Sequence, residues 1–216
     1  MPWMKPILIV IFSVGTAFFA GHSLVRSRLE TTAVLERPAA NDGNRPYRGA
    51  ADASVTLVEY GDYQCPPCFT YNTILNDVLQ RYGNKVRLEF RHFPMTRIHA
   101  NAISAAVAAE AAGEQDRYWE MHDALLSSQK QWSGADNVEQ EFAKLATSIG
   151  LDANRLVQAL AKPELRERVA ADIATGQQLN IQAVPTFFLN GRRIDGPPAT
   201  AEGFFALIDA ELAATR

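Results

Sequence analysis

Cys65-Pro66-Pro67-Cys68 narrows what this chain can fold into more than any other stretch. It follows a run rich in β-branched residues (Val55, Thr56, Leu57, Val58, Glu59, Tyr60) and opens a helical pattern carried by Tyr71, Ile74, Leu75, Val78 and Leu79. A strand must therefore hand over to a helix at the first cysteine. These are the only two cysteines among 216 residues. At a helix start, Cα atoms three residues apart lie about 5 Å from one another, inside the span a disulfide can close. A bridge closing so short a loop removes little chain entropy, which favours a redox role over a structural one.

Position tunes the two sulfurs differently. With Cys65 at the N-cap, its sulfur faces the unpaired N–H groups and the positive end of the helix dipole, which favours thiolate over thiol. Thiols so placed fall from about 8.5 to roughly 3.5–7.5. Cys65 is the expected nucleophile; Cys68, one turn in and facing the sheet, is the expected resolving thiol.

Other chemistries fit less well. Half a zinc site is present in the cysteine pair, but there is no second pair, and only His92 and His99 offer further ligands, so no metal is expected. Haem attachment fails because Phe69 stands where the histidine is required. His122, on an apolar helical face, reads as a packed histidine, and Trp119 and Trp132 as anchors of a helical lobe. A net charge of −3 argues against nucleic-acid binding.

The N-terminus differs from the rest. Residues 7–25 carry no formal charge and follow Lys5, with Arg26 and Arg28 beyond. This suits an uncleaved membrane anchor, with a cleaved signal peptide as the competing reading. Both place the remainder of the chain outside the cytoplasm, in the periplasm or on the extracytoplasmic face of the membrane. Residues 27–53 are polar and turn-rich and read as a flexible tether.

The remaining order is strand (55–60), cysteine helix to about Gly83, and strand (86–93), a βαβ unit with parallel strands. The second strand alternates apolar and polar residues, so one buried face is expected. Residues 98–179 are helical in period throughout: an alanine-rich segment over 98–112, then helices marked by Tyr118 to Leu126, Val138 to Ile149, Leu156 to Leu160 behind an Asp152 cap, and Leu165 to Ile173. Thr186-Phe187-Phe188-Leu189 and Arg192-Arg193-Ile194 flank Asn190-Gly191, a strong hairpin signal. A last helix starts near Thr200. With 47% hydrophobic residues the chain can bury a real core.

This order, with the stretches Val-Glu-Tyr-Gly-Asp-Tyr-Gln-Cys-Pro-Pro-Cys, Phe90-Arg91-His92-Phe93-Pro94, Tyr118-Trp119-Glu120-Met121-His122-Asp123 and Val184-Pro185-Thr186-Phe187-Phe188-Leu189-Asn190-Gly191, resembles the DsbA-like thiol-disulfide oxidoreductases of the thioredoxin superfamily. The resemblance spans about 48–214. The fold class it implies is α/β, a thioredoxin fold (54–97 with 180–214) carrying an all-helical insertion (98–179), behind the N-terminal hydrophobic segment (1–26).

It also implies roles. Cys65 attacks and Cys68 resolves. Glu59 occupies the place of a buried acid beneath the site, where desolvation raises its pKa and suits it to move a proton at Cys68; the alternative is an exposed residue on an edge strand. Pro185 matches a cis-proline whose neighbour Val184 offers its backbone to an extended substrate; taken alone, the residues read as a trans-proline starting a strand. Pro66 suits the first helical position, but Pro67 departs from relatives that carry histidine there and removes a further N–H donor. A less acidic Cys65 and a less oxidising disulfide are expected in consequence.

The function so implied is oxidation of cysteine pairs in exported proteins, with no bound cofactor, a membrane quinone-linked reoxidant and a monomeric state. Two alternatives stand beside it: a reductase or isomerase, and a non-catalytic thioredoxin-like binding or chaperone module.

Overall fold

The computed structural model describes residues 45–214. The expected signal peptide or anchor and most of the tether lie outside the described residues. The tether's last part does not: β1 (Tyr47–Gly49) pairs antiparallel with a later strand. Three residues are too few to show alternation, so nothing in their pattern marks them as a strand.

The predicted strand before the cysteines is β2 (Val55–Gly61), followed by α1 (Pro66–Tyr82). Pro66 and Pro67 fill the first two helical positions, where backbone N–H groups lack intrahelical partners in any case. The helix stops at Gly83, whose φ of 54° is one that side-chain-bearing residues rarely adopt. A short 3-10 turn (Gly83–Lys85) leads into β3 (Val86–His92), which runs parallel to β2 from Val55 opposite Val86 to Gly61 opposite His92.

After the insertion come β4 (Thr186–Leu189) and β5 (Arg192–Arg193), turned by Asn190 and Gly191, both at positive φ. The strand order is β1-β3-β2-β4-β5, with β4 antiparallel to β2. The helix predicted near Thr200 spans Ala201–Ala214. It closes one side of the sheet together with α1: Ile74, Leu75 and Val78 pack with Phe204 and Ile208 over Val55, Leu57, Leu88 and Phe187.

The insertion holds α2 (Ala102–Gly113), α3 (Tyr118–Ser127), α4 (Gln129–Trp132), α5 (Val138–Ser148), α6 (Ala153–Leu160) and α7 (Pro163–Gln178), which makes the last helix α8. Every alanine of α2 is buried, because a helix of small side chains lets its neighbours approach on all sides. Asp152 caps α6 by accepting the Arg155 N–H. The alanine-rich helix begins at residue 102, not 98, because residues 95–99 form a turn closed by Met95 accepting the N–H of Ile98 and of His99. The four-residue α4 is too short to leave a helical period in the sequence. Among the described residues no helix is long and apolar enough to cross a membrane.

The single buried face expected for β3 needs correcting, since all seven residues are buried. Its polar alternation continues a second interior layer. Glu89 receives Arg87 and Arg91, each at 2.9 Å, and Arg91 reaches Asp172 of α7 at 3.5 Å. Arg45 meets the same Asp172 oxygen at 2.8 Å, and the other oxygen accepts the His92 N–H at 3.0 Å. Buried charges persist only when paired, and this layer pairs them across β3, α7 and the segment before β1.

Candidate active site

The site is built where β2 ends and α1 begins. Cys65 is the N-cap residue of α1, with extended backbone, and its N–H donates to the Asp62 carbonyl at 3.0 Å. The sulfur thus emerges at the open end of the helix. One turn on, the Cys68 N–H donates to the Cys65 carbonyl at 3.1 Å, and its side chain turns into the core. Cys65 is 7% exposed and Cys68 0%, and both are free thiols.

The two sulfurs differ as their positions dictate. A hydrogen bond from Cys68, working against burial, lowers the Cys65 thiol to about 7. Burial, and that same hydrogen bond, push Cys68 well above an ordinary thiol. The Asp62 N–H points at the Cys68 sulfur from 3.5 Å.

Glu59 is interior and not at an edge. It sits on β2 between β3 and β4, is 2% exposed, and its Oε1 is buried without a hydrogen-bond partner. Burial first, and then the charge at Cys65, raise it from 4.5 to about 8. Space for the carboxyl comes from Gly61: a Cβ there would stand 3.1 Å from Oε1 and 2.4 Å from the Phe90 ring.

On the opposite wall the Val184–Pro185 bond is cis, and the Cys65 thiol faces the Val184 carbonyl oxygen at 3.6 Å. Val184 and Pro185 are half-buried, while Pro66 and Pro67 are exposed on the rim. The structure therefore brings together all seven residues singled out in the sequence: Glu59, Cys65, Pro66, Pro67, Cys68, Val184 and Pro185.

Several neighbours escape sequence reasoning. Asp62, 2% exposed, organises the loop: its carboxylate accepts the N–H of Gln64 at 2.8 Å and of Met95 at 2.7 Å, and His99 Nδ1 at 2.7 Å. Gln129 of α4 donates to the carbonyls of Tyr63 and Cys65 at 2.7 and 2.9 Å, so the insertion clamps the cysteine loop. His122 is packed as expected, between the Tyr63 hydroxyl at 3.1 Å and Asn72 Oδ1 at 3.3 Å, and burial drives it well below the usual histidine range. The only local signal is Asp62 three residues before Cys65, a turn-like spacing shared by many loops. His92 and His99 go to different carboxylates, Glu110 and Asp62.

A family model described as Thioredoxin matches residues 41–210. The chain is 28% identical to BdbD from Bacillus subtilis, with a TM-score of 0.71 over 82% of this chain and 96% of that one. It is also 28% identical to a thioredoxin-like oxidoreductase from Silicibacter pomeroyi, with a TM-score of 0.66 over 80% of this chain and 95% of that one. In sequence it is 40% identical to the Na(+)/H(+) antiporter NhaA 3 of Salinispora tropica over 69% of this chain, which is 22% of that protein. Across the curated relatives it matches, the chain spans from about a fifth to under a third of their length.

Proposed function

The chain belongs to the thioredoxin family, in its DsbA-like branch of thiol-disulfide oxidoreductases, and from that premise we propose that Cys65-Pro66-Pro67-Cys68 is its redox centre and that it oxidises cysteine pairs in exported proteins. The observation that carries this reading is the unequal pair: a thiol held at about 7 at a helix N-terminus, backed by a fully buried one.

The reaction balances without a bound cofactor. A client thiolate attacks the Cys65 sulfur of the oxidised centre; the bond to Cys68 breaks, and Cys68 leaves as a thiolate. Buried as it is, that thiolate needs a proton, and Glu59, still protonated up to about pH 8, is placed to give one. The client's second thiolate then attacks its own sulfur in the mixed disulfide and expels Cys65. Two electrons have passed to the enzyme and the client holds a disulfide. A membrane quinone-linked oxidant takes the electrons back. A helix-terminal Cys65 of the acidity found here is a good leaving group, which favours release of the client.

The half-buried Val184 backbone beside Cys65 supports recognition through main-chain pairing, which tolerates many client sequences. The enzyme works as a monomer, in the periplasm or on the extracytoplasmic side, held to the membrane by residues 7–25. Its relationship to part of a membrane antiporter is consistent with a domain that works at a membrane surface.

Cys68→Ala tests the reading. The Cys65 thiolate of the variant should attack the disulfide of an oxidised client, the reverse of the release step, and with no second thiol to resolve the product it should accumulate mixed disulfides at Cys65 that reductant releases, whereas Cys65→Ala should accumulate none. Non-covalent capture that survives loss of both cysteines would identify a binding module instead.

A further inference from the structure

Both residues between the cysteines are prolines, which bring neither a charge nor an N–H to the Cys65 sulfur. The charged and titratable groups around it arrive from elsewhere: Cys68 from α1, Glu59 from β2, Asp62 from the loop between them, and His99 from the turn after β3. Gln129 of α4, which donates to the Cys65 carbonyl, and the Val184 carbonyl, which faces the sulfur, are neutral.

Asp62 is the puzzle in this set. A carboxylate with 0% side-chain exposure, whose own carbonyl holds the Cys65 N–H, opposes a second negative charge on that sulfur. In a water-poor setting such opposition is strong. Yet the loop needs the carboxylate, which fixes Gln64 and Met95 by their N–H groups. His99 sits on the same oxygen that binds Met95, at 2.7 Å, with its ring 17% exposed. The turn that presents it is pinned at both ends: Met95 is held by Asp62, and the Asn101 N–H donates to Gln64 Oε1 at 2.6 Å.

We propose that His99, seated on the Asp62 carboxylate at 2.7 Å and bringing a positive charge there when protonated, is a positioning residue that masks the Asp62 charge and so lets Cys65 stand as a thiolate. Its effect on Cys65 has the matching direction: His99 lowers the thiol and Asp62 raises it. His99 thus offsets, from outside the motif, a negative charge that the two prolines do nothing to offset. The proposal deepens the oxidoreductase reading and rests on Cys65 being the working thiol.

Titration of the Cys65 thiolate by its ultraviolet absorbance, in the full chain carrying Cys68→Ala, tests it. His99→Gln keeps a donor but no charge and should raise the Cys65 pKa by about one unit, a roughly tenfold loss of thiolate below that pKa. Adding Asp62→Asn to His99→Gln should restore it, and His99→Lys, which keeps a cation on Asp62, should stay near the starting protein. An unchanged pKa in His99→Gln overturns the proposal, and so does an equal rise in His99→Gln and His99→Lys, which would mark a loop-shaping role alone. Exchange of the unmodified protein with glutathione, measured alongside, reports separately on the oxidoreductase reading.

Discussion

The Cys65 thiol faces the carbonyl oxygen of Val184 across 3.6 Å, although the two residues stand 119 positions apart in the chain. The helix N-terminus sets the sulfur and the loop before β4 sets the carbonyl, so the thiol and a main-chain edge meet at one place. In the proposed reaction a client's thiol and its backbone would be held together there, which is what disulfide exchange on varied sequences requires.

Glu59 links the site to stability. In the folded dithiol protein it keeps its proton up to about pH 8, whereas the unfolded chain releases it near the ordinary 4.5. The folded state thus binds the extra proton between those values, and stability is lost as pH rises through that window, on the order of 5 kcal/mol in all. Cys65, lowered to about 7, contributes a slope of opposite sign. Glu59→Gln removes only the first of these two contributions. Urea melts of the two reduced proteins at pH 5 and 8.5 should show the variant losing several kcal/mol less. Its client oxidation should slow about 10²-fold, as loss of a general acid does.

Pro67 is exposed at the second position of α1, so a larger side chain fits there. Pro67→His restores an N–H and adds an imidazole close to the sulfur. The Cys65 pKa should drop below about 7 and the disulfide should become more oxidising. Thiolate absorbance titration checks this, and an unchanged or higher value would refute the role given to Pro67.

Asp172 joins Arg45, Arg91 and the His92 N–H beneath the sheet and is 1% exposed. Asp172→Ala takes one carboxylate from Arg45 and Arg91, which keep Glu110 and Glu89, and leaves the buried His92 N–H without its acceptor, at a cost of about 3 kcal/mol. The urea midpoint should fall accordingly while the Cys65 pKa stays in place, because this network lies on the other face of the sheet from α1.

The site's chemistry is legible in the sequence because cysteine spacing and helix-start signals are local. The helical period locates five of the insertion's helices for the same reason, and Asn190-Gly191 locates the hairpin. What stays hidden depends on partners distant in the chain. Arg87, Glu89 and Arg91 look like a solvent face until Arg45 and Asp172 cover them. Asp62 and His99 stand 37 residues apart and are joined only when β3 lies beside β2. Glu59 and the cis Val184–Pro185 bond enter through the family resemblance, and neither follows from local residue pattern.

The role proposed for Cys65 and Cys68 is that of a centre that gives disulfides to clients. Equilibration of the protein against glutathione would measure its potential directly. With Cys65 at about 7 and proline at 67, the value should fall between about −120 mV, the figure for DsbA, and about −270 mV, that for thioredoxin. Stable structural disulfides lie below about −300 mV, so transfer to clients runs downhill across that range, by as little as about 30 mV at its lower end. A potential at or below about −270 mV would contradict that role and make this protein a reductant that must be supplied with electrons.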